Sequence, residues 1–368
     1  MLKKLYVHNF RSLQNFELDL SDLHSVVLLG KNGSGKTTVF NVIEIFQQIA
    51  QGVSQIKKLV NKKDFTFGDA LSTMKLQLDV VLETRQFFYS IEIDMPQGFR
   101  EPKIKNEQLK CDGRVIFERE GGRTLLNGSA EFSLDWHHFG LPLISVRDEK
   151  EPVAQFRKWV SNIIILSPIP SYFSATSKGE YIYLDREGRH LLDWIRELLA
   201  ESPTLYSKMH DFLKQRLDDF SLFRFSTTGA DEKELVVEFK GTKRESLELN
   251  FSQLSDGEKI FILAAGLVAR MNSGKPTLCL WDEPDNYISL IELSHFILAC
   301  RKAAETSDQS AQILMSTHNA TVINEFSTHN TFILSRGSHL EPSRNRKLLG
   351  VKYLSPTIIE AFENGEFD

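Results

Sequence analysis

The sequence contains few cysteines and no long apolar run. Its three cysteines, Cys111, Cys279 and Cys300, are widely spaced and form no Cys-x-x-Cys pair that could hold zinc or begin a disulfide framework. No stretch of about 18 apolar residues is present, so we expect no transmembrane helix and no membrane partner. The N-terminal residues lack the continuous apolar segment of a signal peptide. These absences favour a protein of the reducing cytoplasm.

An excess of charge of one sign and long heptad repeats are also missing. The formal net charge is -5 at pH 7, so DNA binding would require a local basic patch. Between Thr37 and Leu254 we find no sustained heptads, which excludes long coiled-coil arms. Hydrophobic residues make up 41% of the chain, enough to bury one large core or two ordinary ones.

A glycine-rich segment follows the first fully apolar run. Residues 30–37 read GKNGSGKT and match the phosphate-binding loop pattern G-x-x-x-x-G-K-S/T. An apolar strand over residues 25–29 precedes this loop, and residues 39–49 show helical spacing of apolar side chains. Backbone amides at such a helix N-terminus cradle phosphates. The predicted nucleotide-binding residues here are Asn32, Gly33, Ser34, Gly35, Lys36, Thr37 and Thr38. Lys36 would reach the β and γ phosphates, and Thr37 would bind Mg²⁺.

Polar side chains follow two further apolar strands. Residues 277–281 lead into Asp282, which would hold Mg²⁺, and Glu283, which would polarise an attacking water. His318 follows the strand over residues 312–316, and it would lie beside the γ phosphate if the two strands are neighbours. Taken alone, such carboxylates are also typical of a solvated strand end, and a single histidine is usually structural. Their combination with the loop favours catalysis.

The order of strands and helices predicts an α/β fold with a mostly parallel sheet wrapped by helices. We assign residues 1–72 and 222–368 to a discontinuous ATPase core. Residues 73–150, with alternating apolar runs, are predicted to form an antiparallel β-rich lobe. Residues 151–221 are predicted to form a helical lobe.

Residues 254–259, which read LSDGEK, resemble the signature motif of ABC-type ATPases. The order of loop, signature, carboxylates and histidine also matches that superfamily. The opening NFRS at residues 9–12 and DEPD at 282–285 resemble the RecF/SMC-like branch, particularly the compact ATPases related to the OLD family. The resemblance covers residues 1–55 and 245–335. Because the segment after His318 is short, we expect no appended nuclease domain.

The resemblance implies ATP and Mg²⁺ as cofactors and a homodimer, or a larger assembly, that closes around ATP. Ser255, Gly257 and Glu258 of one copy would then contact the nucleotide held by Lys36 of the other. As a bare string, the same residues are also an ordinary helix cap.

The resemblance also suggests roles for two further residues, Arg11 and Gln155. Arg11 would lie near the nucleotide, although a solvated turn explains this residue equally well. Gln155 is a weak candidate for the family's magnesium-sensing glutamine.

Three functions remain open from the sequence. The first is an ATP-dependent switch that controls a separately encoded effector, such as a nuclease, in bacterial antiphage defence. The second is a RecF-like DNA clamp in repair, for which basic residues just after the first helix would contact phosphates. The candidates are Lys57, Lys58, Lys62 and Lys63, although such a cluster is more often a solvated face. The third, an ATPase subunit of a transporter, is less favoured because the chain has no membrane segment of its own.

Overall fold

The computed structural model describes residues 1–69, 71–179, 181–241, 245–307, 311–349, 351 and 354–366. The chain divides into two compact units, residues 1–163 with 326–368, and residues 164–325. The strands are β1 (Leu2–His8), β2 (Phe16–Asp19), β3 (Ser25–Leu29), β4 (Met74–Leu82), β5 (Arg85–Asp94), β6 (Lys103–Cys111), β7 (Arg114–Glu120), β8 (Arg123–Leu126), β9 (Ala130–Ser133), β10 (Ile164–Leu166), β11 (Thr176–Ser177), β12 (Phe220–Thr227), β13 (Lys233–Lys240), β14 (Ser246–Asn250), β15 (Thr277–Asp282), β16 (Ala311–Thr317), β17 (Thr331–Ser335) and β18 (Arg344–Lys347).

The α-helices are α1 (Lys36–Ala50), α2 (Pro152–Ser161), α3 (Leu191–Glu201), α4 (Leu205–Lys214), α5 (Asp256–Met271), α6 (Leu290–Glu305) and α7 (Ile358–Glu363). Single 3₁₀ turns occur at Ile56–Lys58, Lys62–Asp64, Thr66–Gly68, Leu141–Leu143, Pro170–Tyr172, Phe251–Gln253 and Ala320–Glu325. No helix among the described residues is long and apolar enough to cross a bilayer.

The first unit contains an antiparallel sheet of eight strands in the order β2-β1-β4-β5-β6-β7-β8-β9. Its central strands alternate between buried and more exposed positions, as in β4, where every second side chain from Met74 to Leu82 is buried. The alternation buries one face of the sheet against the rest of the unit. Six of its strands, β4 to β9, fall within residues 73–150, where the alternating apolar runs predict antiparallel strands.

The same unit contains the strand, loop and helix that the glycine-rich segment predicts. All five residues of β3 are buried, and β3 pairs in parallel with β17, which pairs antiparallel with β18. The apolar face of α1 is buried, and the side chain of Gln51, the C-cap of this helix, donates to the carbonyl oxygen of Ser161 at 2.9 Å. The helix that begins at the loop is therefore fixed by both packing and hydrogen bonds.

A fully buried ionisable cluster lies inside the antiparallel sheet. Glu107 accepts hydrogen bonds from the Tyr89 hydroxyl at 2.7 Å and from the amides of Gly140 and Leu141 at 2.7 and 3.0 Å. Arg119 lies 4.0 Å from this carboxylate, and both side chains are completely buried. Burial raises the pKa of the Glu107 carboxyl, while its hydrogen bonds lower it. The cluster ties the segment after the sheet back onto its buried face.

The second unit contains two sheets. In the first, β10, β15 and β16 run parallel, with every residue of the three strands buried. Such continuous apolar strands are typical of a parallel sheet covered on both faces. In the second sheet, β13 pairs antiparallel with β12 on one side and with β11 and β14 on the other. α5 begins shortly after β14.

This arrangement confirms the α/β fold predicted from the sequence. The boundaries assigned to the core and the two lobes stay predictions. Residues 151–221 contain α2, α3 and α4, as expected for a helical segment, and also the short strands β10 and β11.

Candidate functional site

The glycine-rich loop of the first unit has the backbone that a phosphate site requires. Gly33 and Gly35 have φ of 82° and 103°, a region that side chains disfavour. A Cβ on Gly30 would lie 2.4 Å from the carbonyl oxygen of Leu334. Gly35 precedes α1 as its N-cap and offers no side-chain hydrogen bond to the first helical amides. These amides, which carry the positive end of the helix dipole, are suited to an anion.

Two side chains of the loop are buried. Lys36 Nζ donates to the carbonyl oxygens of Gly30 at 2.5 Å and Lys31 at 3.2 Å. The Oγ of Ser34 is buried and has no hydrogen-bond partner among the described residues. A buried hydroxyl without a partner is costly, and a phosphate oxygen would accept its hydrogen bond. The loop therefore fits a nucleotide phosphate. Asn32 and Thr37 are exposed, and Thr38 is half-buried.

The NFRS turn of residues 9–12 lies beside the glycine-rich loop. The Ser12 and Ser343 hydroxyls are 2.8 Å apart, and the amide of Ser343 donates to the Ser12 carbonyl at 2.7 Å. A Cβ on Gly35 would lie 2.6 Å from Ser343 Oγ and 3.0 Å from Ser12 Oγ. A residue larger than glycine at position 35 would displace this pair.

Arg11 lies in the same turn. Its backbone is left-handed, with φ of 49°, and its Nε donates to Asp64 Oδ1 at 2.9 Å. Asn9 fixes the neighbouring loop by accepting from the amide of Thr66 and donating to the carbonyl oxygens of Asp69 and Ser72. Arg11 is therefore an anchored residue with 45% of its side chain exposed. A contact with nucleotide stays a prediction.

In the second unit, β15 ends at the predicted metal ligand. Only 8% of the Asp282 side chain is exposed, and its Oδ1 accepts a hydrogen bond from the Ser316 hydroxyl on β16. Its Oδ2 lies 3.5 Å from Nη2 of Arg186. Arg186 is a residue that the sequence analysis missed. It places a cation against the carboxylate that would hold Mg²⁺.

The structure brings Glu283 and His318 together. Glu283 Oε1 lies 3.2 Å from His318 Nδ1, and Oε2 accepts from Asn286 Nδ2 at 3.2 Å. The amide of Glu283 donates to Ser316 O at 2.9 Å, and its φ is 52°. This φ lies in the left-handed region, which residues with a side chain rarely adopt. A carboxylate held from two sides and one-third exposed is available to accept a proton.

A second hydrogen bond fixes the loop after the carboxylates. Thr317 Oγ1 donates to Asp285 Oδ1 at 2.9 Å and accepts from the amide of Asn319. The predicted histidine therefore lies between Thr317, which is tied to the 283–286 turn, and Asn319, whose amide is bound by Thr317. Asp285, Asn286 and Thr317 belong to the site, although the sequence analysis assigned no role to them.

The signature residues form the N-terminus of α5. Ser255 Oγ accepts from the amide of Glu258, and Glu258 Oε2 accepts from the Ser255 amide and hydroxyl, both at 2.7 Å. This is a capping box. A Cβ on Gly257 would lie 3.2 Å from the carbonyl oxygen of Tyr287. Within a single copy, Ser255 and Glu258 therefore form a helix cap, which the sequence analysis gave as their alternative role.

The remaining candidates, Gln155 and four lysines, belong to the first unit. Gln155, on α2, accepts a hydrogen bond from Arg85 Nη1 at 3.0 Å. The four lysines Lys57, Lys58, Lys62 and Lys63 are exposed, and Lys57 pairs with Glu101 at 3.2 Å. No group of three or more His, Cys, Asp or Glu residues in the described ranges is arranged to hold a metal alone. Mg²⁺ commonly binds through one or two protein groups together with nucleotide phosphates, so Asp282 fits this ion.

Two family comparisons match separate stretches of the chain. Residues 1–120 match the AAA ATPase domain family, and residues 165–324 match a family described as "AAA domain, putative AbiEii toxin, Type IV TA system". No curated protein matches the chain. The two stretches contain the glycine-rich loop and the Asp282–Glu283 pair, respectively.

Solved structures share the fold across nearly the whole chain. The SMC head domain from Thermotoga maritima is 14% identical, with a TM-score of 0.50 over 94% of this chain and 98% of that one. An SMC head bound to the C-terminal winged-helix domain of ScpA is 14% identical, with a TM-score of 0.59 over 95% and 98%. An SMC head with an extended coiled coil, bound to the C-terminal domain of ScpA derived from Pyrococcus furiosus, is 12% identical, with a TM-score of 0.51 over 95% and 96%. The chain therefore has the α/β architecture of an SMC-type ATPase head.

Proposed function

We propose that this protein binds ATP with Mg²⁺ and hydrolyses ATP when two copies meet around the nucleotide. The observation that carries the proposal is Glu283, which follows the buried Asp282 directly and is held by both Asn286 and His318. A carboxylate positioned in this way is suited to orient water for attack on a phosphate. The match to ATPase families and the SMC-head fold support the same chemistry.

Each group has a role in this proposal. The loop amides, Lys36 and the Ser34 hydroxyl bind the phosphates, and Thr37 and Asp282 hold Mg²⁺, which supplies neutralisation of phosphate charge. Glu283 accepts the proton of the attacking water, and His318 keeps its carboxylate oriented. These assignments rest on the contacts within each unit.

The second copy would complete the site with its signature residues. Ser255 and Gly257 lie at the start of α5, where helix amides favour an anion. Nucleotide binding would require the Ser255 hydroxyl to exchange its contact with Glu258 for a phosphate oxygen. The homodimer is therefore expected to depend on ATP.

The biological role that we propose is a switch that controls a separately encoded effector, such as a nuclease, in antiphage defence. The description of the family matched by residues 165–324 names a toxin and a type IV toxin–antitoxin system, which supports action alongside another gene product. One structure with the same fold is an SMC head bound to a domain of another protein.

A DNA clamp is the second candidate, because Lys57, Lys58, Lys62 and Lys63 are exposed together near the end of α1. Replacing these four lysines by glutamate should abolish retention of duplex DNA if the clamp is right, and wild-type binding should weaken steeply with salt. If the wild-type protein does not bind duplex DNA at low salt, the clamp function is excluded.

Nucleotide titration with a fluorescent ATP analogue tests the site. Lys36→Ala should lose binding, because the buried ammonium of this loop is removed. Lys31→Ala removes the same charge from an exposed position of the same loop and should retain binding. Equal affinity of Lys36→Ala and the wild type would remove the basis of the proposal.

A further inference from the structure

One sheet of the second unit has an exposed edge immediately before the signature motif. β14 pairs antiparallel with β13, from Ser246 opposite Lys240 to Asn250 opposite Val236. The first three residues of β14 are exposed, and 57% of the Leu247 surface is accessible to solvent. An outer strand presents a row of N–H and C=O groups unless another segment covers them.

The pairing of Gly241 with Glu245 determines which backbone groups of β14 face outward. The amide of Gly241 donates to the carbonyl oxygen of Glu245 at 2.9 Å, so these two residues form a hydrogen-bonded pair. Bonded and non-bonded pairs alternate along antiparallel strands. The backbone groups of Ser246, Glu248 and Asn250 therefore point away from β13.

A contact of Asn250 agrees with this assignment. The backbone amide of Asn250, which the alternation directs outward, donates to Gln253 Oε1 at 2.9 Å. The backbone groups of Ser246 and Glu248 have no hydrogen-bond partner among the residues that the structure describes. Among the described residues, the open edge of β14 therefore runs from Ser246 to the point where Gln253 covers the strand.

The opposite edge of the same sheet is covered by the chain itself. Three side chains on successive turns of α4 hydrogen-bond to carbonyl oxygens of β12: Tyr206 to Phe223 at 2.9 Å, His210 to Ser221 at 2.9 Å, and Lys214 to Phe220 at 2.7 Å. Within this sheet, the fold protects part of one edge and leaves β14 open.

We propose that β14 is a docking edge for an extended segment of a different protein chain. Free backbone groups on alternate residues recognise an extended main chain, which would add to the sheet as a further strand. An apolar side chain of that segment would cover Leu247, whose cross-strand neighbour Phe239 is buried. The occupant is therefore an extended peptide that alternates apolar and polar residues.

A second copy of β14 fits this edge poorly. Antiparallel self-pairing centred on Glu248 would place the two Glu248 carboxylates directly opposite each other, which destabilises a sheet. A basic side chain at that position would instead complement Glu248 on the face where Arg224 already contacts it at 2.8 Å. Charge therefore favours a partner with lysine or arginine in the added strand.

The position of β14 would connect docking to the ATPase site. Asn250 ends the strand and forms a capping box with Gln253, and the chain continues through this turn to Ser255 at the start of α5. A strand added to β14 would restrain the turn that leads to the signature residues. This link rests on the proposed function, whereas the docking itself does not.

Amide hydrogen exchange, measured without nucleotide, tests the docking edge. The probe is a synthetic peptide of about six residues that alternates valine and lysine, a typical strand length. Its control is the same peptide with N-methyl groups on alternate residues, which cannot donate to the edge. The unmethylated peptide should slow exchange at Ser246 and Glu248 by about tenfold or more, and the methylated peptide should not.

Two variants separate the backbone from the side chain. Glu248→Pro removes an outward N–H without removing a bond to β13, and it should abolish peptide binding. Glu248→Gln keeps that N–H and should bind within a few-fold of the wild type. If Glu248→Pro fails to fold, Leu247→Asn, which removes the apolar contact without adding charge, should weaken binding, whereas Leu340→Asn, at another exposed leucine, should not.

Several results would overturn the proposal. These are unchanged exchange at Ser246 and Glu248 with excess peptide, equal binding of the methylated peptide, or full binding by Glu248→Pro. A concentration-dependent mass that Glu248→Pro abolishes would show that a second copy occupies the edge. Failure of the proposed ATPase function would appear separately, as a wild-type protein that binds no nucleotide.

Discussion

The contact between Arg186 and Asp282 predicts how tightly the site holds Mg²⁺. The two charged groups are 3.5 Å apart, with 20% and 8% of their side chains exposed. Unit charges at this distance interact by about 5 kcal/mol at an effective dielectric constant of about 20. Desolvation offsets most of this energy, so we expect a net effect of about 1.4 kcal/mol on metal binding, or about tenfold. Because Mg²⁺ must displace the guanidinium, Arg186→Ala should need about tenfold less Mg²⁺.

The assay is the Mg²⁺ concentration that gives half-maximal binding of a fluorescent ATP analogue, so it reads binding and not turnover. Arg189→Ala is the matched control, because Arg189 lies on the same segment, is more than half exposed, and pairs weakly with Asp185. It should leave the Mg²⁺ requirement unchanged. An equal or higher Mg²⁺ requirement in Arg186→Ala would refute competition between the guanidinium and the metal.

Three further substitutions have defined outcomes. Glu283→Gln should bind ATP with near wild-type affinity and lower steady-state turnover by about 10²-fold or more, because the amide cannot accept the proton; normal turnover would place the base elsewhere. Gly35→Ala should weaken nucleotide binding, because its Cβ would lie 2.6 Å from Ser343 Oγ, whereas Gly52→Ala, at a similar φ of 110° but in open space, should not. Glu107→Ala should lower the free energy of unfolding in urea by about 3 kcal/mol or more, because it leaves Arg119 buried without its acidic neighbour; a loss below about 1 kcal/mol would contradict this.

The loop and the strand ends of the candidate site were predictable because their signals are local. The GKNGSGKT segment fixes a strand, a turn and a helix within a few residues of one another, and the structure has β3, the loop and α1 in these places. Asp282 and Glu283 follow a run that is apolar throughout, which identifies a buried strand and its end.

The supporting contacts were not predictable because they join residues far apart in sequence. Arg186 reaches Asp282 across 96 positions, and Ser12 meets Ser343 across 331. No periodicity or motif in either segment indicates the pairing. Only the folded chain places the arginine against the carboxylate.

The sequence analysis did not single out β6 or β10 as individual strands, and in both segments the physical reason is identifiable. β6 places Glu107 at an inward position, so the alternation of apolar residues is interrupted by a carboxylate that Tyr89 and two amides satisfy. β10 is a run of three apolar residues, Ile164–Leu166, too short for periodicity to separate strand from helix. Tertiary contacts therefore determine the strand conformation of both segments.

The mass of the Glu283→Gln protein in solution, measured by light scattering with and without ATP and Mg²⁺, tests the central claim most directly. If two copies close around the nucleotide, this slowly hydrolysing variant should be a monomer alone and should double its mass when ATP and Mg²⁺ are both present. The double variant Lys36→Ala, Glu283→Gln should stay monomeric under the same conditions. A single-variant protein that binds ATP yet keeps the mass of one chain would contradict an ATP-dependent dimer.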